Sequence, residues 1–471
     1  MPVAACLLLA GMPTAATAQH AKPAARPADV NATAPDGTTP LHRAVYDDNG
    51  REVVRLIAAG ARVNVADRYG VTPLSLACSN GDVGLIQRLL EAGARVDAAA
   101  FEGEPPLLTC ARSGNAGAVT AMLAHGANPN SVESWHRQTA LMWAAAADGA
   151  DAVDALVAAG ADVNAKGEGG FMALHYAARA GAMDAARALI AHGASVTALL
   201  DNKTSPLMLA VMNARYELAA MLLDHGADPN DNALGFTPLH QLVWSYHPNV
   251  VLFPPGPEQR GSLDAMGMAR VLLEHKADPN ARMTRNPGDG YRTSMNRIGA
   301  TPLLLAARVP DVELMRLLLK YGADPKLRTK DNTDLLMVAA GYGWQAGESP
   351  ESKPGALLAA VKLSLDLGAD VNAANDRGYT ALHCAVIRES NELIQFLVDE
   401  GADLYAKTKE EDPRFPGVGE GKTPLQVAEG QMVIASFKYY PEQAALLREL
   451  MGIPPVKDMR LVSTLNGVSS R

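Results

Sequence analysis

Histidine and cysteine are the residues of this chain best suited to hold a metal ion or form a covalent bond, and there are eleven and four of them. The histidines fall into two sets by position. His42, His175, His240 and His383 each follow a threonine or methionine by three residues (Thr39, Met172, Thr237, Thr380). His125, His192, His225 and His275 each precede a glycine or, once, Lys276. A structural zinc site gathers four ligands at about 2 Å from one ion. Helices in contact lie about 8–10 Å apart, so equivalent histidines on successive helices do not reach a common ion. No metal site is expected. A residue that becomes cationic just before a helix ends suits the partial negative charge there.

The cysteines read the same way. Cys6, Cys78, Cys110 and Cys384 include no Cys-x-x-Cys pair. A bridge needs Cα atoms within about 7 Å, and stacked helical units are expected to hold Cys78 and Cys110 farther apart. Buried, inert thiols are the expectation, with no disulfide framework. The chain also lacks Gly-x-Ser-x-Gly, His-Glu-x-x-His, a Gly-Lys-Thr/Ser phosphate loop, a dinucleotide fingerprint and Cys-x-x-Cys-His. No catalytic residue, cofactor or enzymatic activity is therefore expected.

The elements that carry these residues repeat. Thr39, Thr72, Pro105, Thr139, Met172, Ser205, Thr237, Thr301, Thr333, Thr380 and Thr423 open similar tetrads, and the first six steps are 32–34 residues long. A second ladder, Gly-Ala-Asp-x-Asn or close to it, begins at Gly60, Gly93, Gly126, Gly160, Gly193, Gly226, Gly322, Gly368 and Gly401, with Lys276 in the remaining place. Two markers in phase over so many periods specify a repeat array. Threonine caps a helix N-terminus, and proline follows it at no cost because its missing N–H would be unpaired there. Five residues after most anchors stands alanine, small enough to let two helices approach. Paired apolar residues such as Leu56-Ile57 and Leu222-Leu223 then mark a second helix. The glycine ends it in a left-handed conformation. Lys276, with its side chain, is expected to distort that turn.

These tetrads, together with Gly-Ala-Asp-Val-Asn at 160–164 and 368–372, resemble the ankyrin repeat over about residues 36–452. The resemblance implies an all-α repeat solenoid of about eleven stacked helix-turn-helix units with short β-hairpin fingers and a long groove. It also implies that the tetrad histidines bond to backbone and threonine between units. Family members bind proteins through their fingers and first helices, so a non-catalytic interaction scaffold is the expected function. The alternative is an accessory module whose inserted loops take a small molecule or assist a partner enzyme. A cryptic hydrolase is the third reading.

Departures from the period carry the partner-binding candidates. Insertions stand near 244–264, 282–299, 344–356 and 406–421. Trp244, Tyr246, His247 and Phe253 are the aromatic anchors of the first, Arg285, Tyr291 and Arg292 belong to the second, and Trp344 opens the third. Loops of this length are usually functional or disordered; packing onto the solenoid is the competing reading for these aromatics, and solvation for the basic loop. Leu242 and Val338 replace the small residue in two of the enlarged units, which suggests splayed helix pairs. Tyr69, Phe101 and Trp135 recur in three successive fingers, either as a binding row or as rings stacked on one another.

Composition bounds the partner and the compartment. With Lys+Arg 42 against Asp+Glu 51, a net charge of −9 makes no electrostatic case for nucleic acid or an anionic membrane. Val3 to Ala18 is uncharged, has an apolar run from Ala4 to Ala10 and ends Ala16-Thr17-Ala18, as a cleavable leader does. No basic residue precedes that run. The organisation expected is a leader (1–18), a linker (19–35), the solenoid (36–452) and a tail (453–471). The exported, periplasmic or secreted reading, of a bacterial type, stands against a cytoplasmic one. The protein is expected to be a monomer with no membrane span after cleavage.

Overall fold

The computed structural model describes residues 29–98, 103–246, 258–286, 295–343, 355–409, 421–433 and 436–455. Among them the α-helices fall into eleven successive pairs. The first helices are Pro40–Tyr46, Pro73–Asn80, Pro106–Arg112, Ala140–Ala146, Ala173–Ala180, Pro206–Met212, Pro238–Tyr246, Pro302–Arg308, Leu335–Ala339, Ala381–Ile387 and Pro424–Ala428. Their partners are Gly50–Ala58, Val83–Glu91, Ala116–Ala124, Ala150–Ala158, Met183–Ala191, Tyr216–Asp224, Ala265–Glu274, Val312–Lys320, Ala356–Asp366, Asn391–Asp399 and Pro441–Leu450. First helices pack on first helices and second on second, so the chain builds two parallel rows. No unit can bury its apolar stripe alone, and each hides it against the next.

The helices begin where the anchors place them. Thr39, Thr72, Thr139, Ser205, Thr301 and Thr423 each accept the N–H three residues on, at 3.2–3.3 Å. Pro105 and Met172 offer no hydroxyl and make no such bond. In the ninth unit the cap is not Thr333 but the next residue. Asp334 accepts the Met337 N–H at 2.9 Å, and the threonine hydroxyl turns to Asn375 Nδ2, 3.2 Å away. A short carboxylate is at least as good an N-cap as a hydroxyl, so the helix starts one place later.

The glycines from Gly60 to Gly401 that end the second helices have φ between 83° and 94°. Lys276 takes the same left-handed conformation at φ 70°, and Ala277 N–H reaches Leu272 O at 2.9 Å, as Ala61 reaches Leu56. The expected distortion is absent. Its exposed side chain meets no obstacle, so only the intrinsic cost of about 1 kcal/mol remains.

Between units an asparagine recurs four residues after most of these turns. Asn64, Asn130, Asn164, Asn230, Asn280 and Asn372 each donate to the turn carbonyl of the next unit at 2.8–3.1 Å and accept a backbone N–H from it. Asp97, Thr197 and Lys326 hold the equivalent places elsewhere. An ionised Asp97 has no N–H to give, and that interrupts the ladder between the second and third units.

At that junction the chain is covalently closed instead. Cys78 and Cys110 form a disulfide with Cα atoms 4.4 Å apart, which overturns the expectation of separate thiols. The 8–10 Å spacing describes helix axes. Cys110 stands in the small-residue position, and with Ala77 and Ala111 it is fully buried, so facing Cα atoms come to about half the axial distance. Cys384 remains a free, buried thiol, its pKa pushed up by burial.

Two further differences concern loops. Among the described residues the fingers are turns rather than β-hairpins, with a single isolated bridge at Val132 and Thr139. Their backbone bonds run to the neighbouring finger instead, as from Arg68 N–H to Asp36 O and from Glu168 N–H to His136 O. In the last unit an antiparallel hairpin, Gln431–Val433 with Ser436–Lys438, takes the place of the tight turn between its helices. Leu242 and Val338 are both buried within their units.

Candidate partner-binding face

Each first helix buries most of its surface. Four and seven residues after the anchor, Tyr176, Leu305, Met337, Ala340, Cys384 and Val427 are buried as well, but in the first four, the sixth and the seventh units both positions are left at least partly open. These lie on one helical face. They are Arg43 and Tyr46 in the first unit, Trp143 and Ala146 in the fourth, and Leu209 and Met212 in the sixth. Tyr46 is 71% exposed and Met212 39%. Arginine and aromatic rings interleave along this stripe. The Arg112 guanidinium of the third unit lies 4.6 Å from the Trp143 ring centroid of the fourth, while also bonding Glu104. Arg179 lies 5.1 Å from the Tyr176 ring and 5.9 Å from Phe171. The Tyr176 hydroxyl accepts from Gln138 Nε2 at 2.7 Å, which locks the ring across two units. Such guanidinium–ring contacts hold a charged group in place while leaving its N–H groups available.

Sequence reasoning passed over Arg112, Trp143, Phe171, Tyr176 and Arg179, because single residues inside the repeat look like core. The signal was there in the four- and seven-residue offsets from Thr139 and Met172.

The finger residues are placed as rigid tips. Trp135 is 67% exposed and Tyr69 50%, while Phe101 lies outside the described residues. Neither visible ring stacks on a neighbouring finger. Trp135 stacks on its own neighbour His136 (5.6 Å, 16°), and Tyr69 lies under its own Arg68 at 4.6 Å. Buried Glu133 fixes the Trp135 finger by accepting the N–H groups of Trp135, His136 and Gln138 at 2.5–2.8 Å. Burial alone would raise its pKa, yet these bonds hold it below the usual carboxylate value. His136 Nδ1 reaches Glu168 of the next finger at 2.6 Å.

The insertion residues are tied to the solenoid where they are described. Trp244 is half-buried, edge-on to Phe236 at 5.3 Å and covered by Arg297 at 5.1 Å. Arg297 is only 5% exposed, so this arginine does not belong to a solvated basic loop. Arg285 donates to Leu234 O and Arg282 to Arg328 O, so both point at backbone carbonyls of the fingers. At the far end of the first insertion, Glu217 of the sixth unit accepts the N–H groups of Ser262 and Leu263 at 2.5 and 2.8 Å. Tyr246 closes its helix; His247, Phe253, Tyr291, Arg292 and Trp344 lie outside the described residues.

The tetrad histidines are inter-unit braces. Their Nε2 atoms meet the carbonyls of Val71, Ala198, Ala300 and Lys422 at 3.0–3.2 Å, and Thr39, Thr237 and Thr380 hydroxyls meet Nδ1 at 2.8–2.9 Å. Burial depresses His175, His240 and His383 to a pKa of about 4. The helix-ending histidines divide: His125 and His225 bond a carbonyl of their own helix, and His192 and His275 meet Asp154 and Asp224 of the preceding unit. Among the described residues no group of three or more His, Cys, Asp or Glu is arranged to hold a metal ion.

Comparison with known proteins agrees with this geometry. A family model described as "Ankyrin repeats (3 copies)" matches residues 5–100, 96–167, 174–253 and 352–436, and one described as "Ankyrin repeat" matches 298–330. The chain is 33% identical over 153 residues to human Ankyrin repeat and SOCS box protein 6, covering 31% of each chain. It is 31% identical over 138 residues to pig NF-kappa-B inhibitor alpha, 29% of this chain and 42% of that one. Regulatory protein NPR1 of Arabidopsis thaliana is 38% identical over 81 residues, 17% of this chain and 12% of the other. Each match therefore spans less than half of the relative's length. With family models covering more than half of its residues and eleven helix pairs in two rows, this chain belongs to the ankyrin repeat family, whose repeats are protein–protein interaction modules.

Proposed function

We propose that this protein is a non-catalytic scaffold that binds a protein partner outside the cytoplasm, as a monomer, through the open face of its first helices and the adjoining finger tips. The observation that carries the reading is the run Arg112–Trp143, Phe171–Tyr176–Arg179, in which two exposed guanidinium groups lie over the half-buried rings of Trp143 and Phe171 and the buried ring of Tyr176, while Trp135 is exposed on a finger tip. Trp, Tyr and Arg are the residues that most often dominate binding energy at protein interfaces. The insertion side chains Trp244 and Arg285 shape the far end of the same face.

Two features support export. One is the uncharged, alanine-bounded N-terminal segment 3–18. The other is the Cys78–Cys110 bridge, since disulfides form and persist in oxidising compartments. No helix among the described residues is long and apolar enough to cross a membrane.

A photo-crosslinker in place of Met212, on the first-helix face, tests the proposal against one in place of Val54, equally exposed on a second helix (39% and 42%). In an envelope fraction the Met212 probe is expected to trap one defined partner and the Val54 probe none. Trapping through Val54 alone, or through neither, would remove the face from consideration. N-terminal sequencing of the mature protein is expected to begin at Gln19, and an intact Met1 would end the export reading.

A further inference from the structure

Charge is distributed unequally between the two helix rows. The eleven first helices contain no aspartate or glutamate, and their charged residues are Arg43, Arg112, Arg179 and Arg308. The eleven second helices contain fourteen acidic residues and nine basic ones. A protein of net charge −9 thus keeps carboxylates off one helix row. Three carboxylates near Arg112, Trp143 and Tyr176 are already engaged. Glu104 bonds Arg112, Glu133 holds its own finger, and Asp148 accepts the Ala185 N–H at 2.9 Å. Arg179 is exposed and makes no ion pair among the described residues.

From this we infer that the partner segment received by the first-helix face is an extended, carboxylate-rich stretch of polypeptide, held by Arg112 and Arg179 over the rings of Trp143 and Tyr176. The inference rests on the scaffold reading and names the partner's chemistry. Guanidinium groups match carboxylates in planar, paired hydrogen bonds. Rings beneath them keep both arginines from folding back onto acidic second helices. The spacing is also set. Arg112 and Arg179 stand two units apart, about 16–20 Å at ordinary helix spacing, which an extended chain covers in about five or six residues. The two acids therefore stand about six positions apart, with an apolar residue between them over Trp143 and Ala146.

The test uses the mature full-length protein and three fluorescent twelve-residue peptides of equal length. One carries two glutamates six positions apart around a leucine, one carries them adjacent, and one replaces them with lysine; each also bears a photo-crosslinker. Anisotropy is expected to show binding in the order spaced, adjacent, lysine. Arg179→Ala is expected to weaken the spaced peptide by about tenfold, as loss of one charge-assisted contact does. R179E is expected to abolish the preference for it, while Arg187→Ala on a second helix changes nothing. Equal binding of the lysine peptide, or unchanged affinity in R179A and R179E with native circular dichroism, would overturn the acidic partner. If the lysine peptide nonetheless crosslinks to Ala146 or Met212, the face still binds polypeptide and only the partner's charge is wrong. If no peptide labels the stripe, the scaffold reading of this face falls with it.

Discussion

The two rows of helices obey one repeat and yet behave as different materials. The first row is alanine-rich, starts on capped threonines, and holds the disulfide, the buried histidines and no carboxylate. The second row is amphipathic in the ordinary way, with leucines inward and a mixed charged face such as Glu52–Arg55 and Asp184–Arg187 outward. The difference teaches where this chain holds itself together and where it is merely soluble. Close approach along the first row makes its capping threonines and tetrad histidines interior, and these are hydrogen-bonded. Charge pairs of the second row such as Glu52–Arg55 and Asp184–Arg187 stand in water and contribute little.

Removing the bridge is the strongest way to break that contrast. Cys78→Ala with Cys110→Ala is expected to lose about 4 kcal/mol in urea unfolding, the chain-entropy value for a closed loop of this length, since the cysteines are 32 residues apart. Because both sulfurs are buried, reductant alone is expected to act on the native protein only as fast as it opens. A thiol titration of the unfolded, unreduced protein that finds Cys78 and Cys110 as free sulfhydryls would show the bridge absent.

Acid should attack the first row next. His175, His240 and His383 have pKa values of about 4 when folded, against about 6.5 in an unfolded chain. Between those values the unfolded state takes up protons that the folded state refuses. Stability is therefore complete above pH 6.5, falls as pH drops to about 4, and changes no further below through these groups. The loss is about 3 kcal/mol per histidine. His383→Gln is expected to flatten the stability–pH slope in this window by about one third, and an unchanged slope would show that the imidazole is not held neutral.

Smaller effects sharpen the comparison. Asn130→Ala removes a pair of 2.8 Å bonds to the next unit and is expected to cost about 1–2 kcal/mol. Asp97→Asn restores the missing rung beside the disulfide and should gain up to about 1 kcal/mol, read as a higher melting temperature. Arg187→Ala on the second row should stay within about 0.5 kcal/mol of the parent. A larger loss there would mean the outer charges support the fold after all.

Much of this was legible in the residues. The repeat, the caps and the glycine turns follow from local chemistry: which side chain can cap a helix, and which residue tolerates a positive φ. The role of the tetrad histidines came from the resemblance to the ankyrin repeat. The binding stripe was less legible. Trp143 and Tyr176 read as ordinary apolar positions until neighbouring units supply Arg112 and Gln138 as their partners. Arg297 falls within the second insertion by sequence, and its contact with Trp244 joins segments more than fifty residues apart. The Cys78–Cys110 pairing was misjudged because a generic helix spacing stood in for the true separation.

What the amino-acid order determined by itself was the unit: two short helices, their ends, and a stripe that no unit can bury alone. What only the tertiary structure decided was the set of distances between units. Sequence periodicity states which residues are equivalent but not how far apart they stand. Small side chains at the contact brought the first row close enough for a covalent bridge and for guanidinium–ring contacts, and whether neighbours meet is settled by packing.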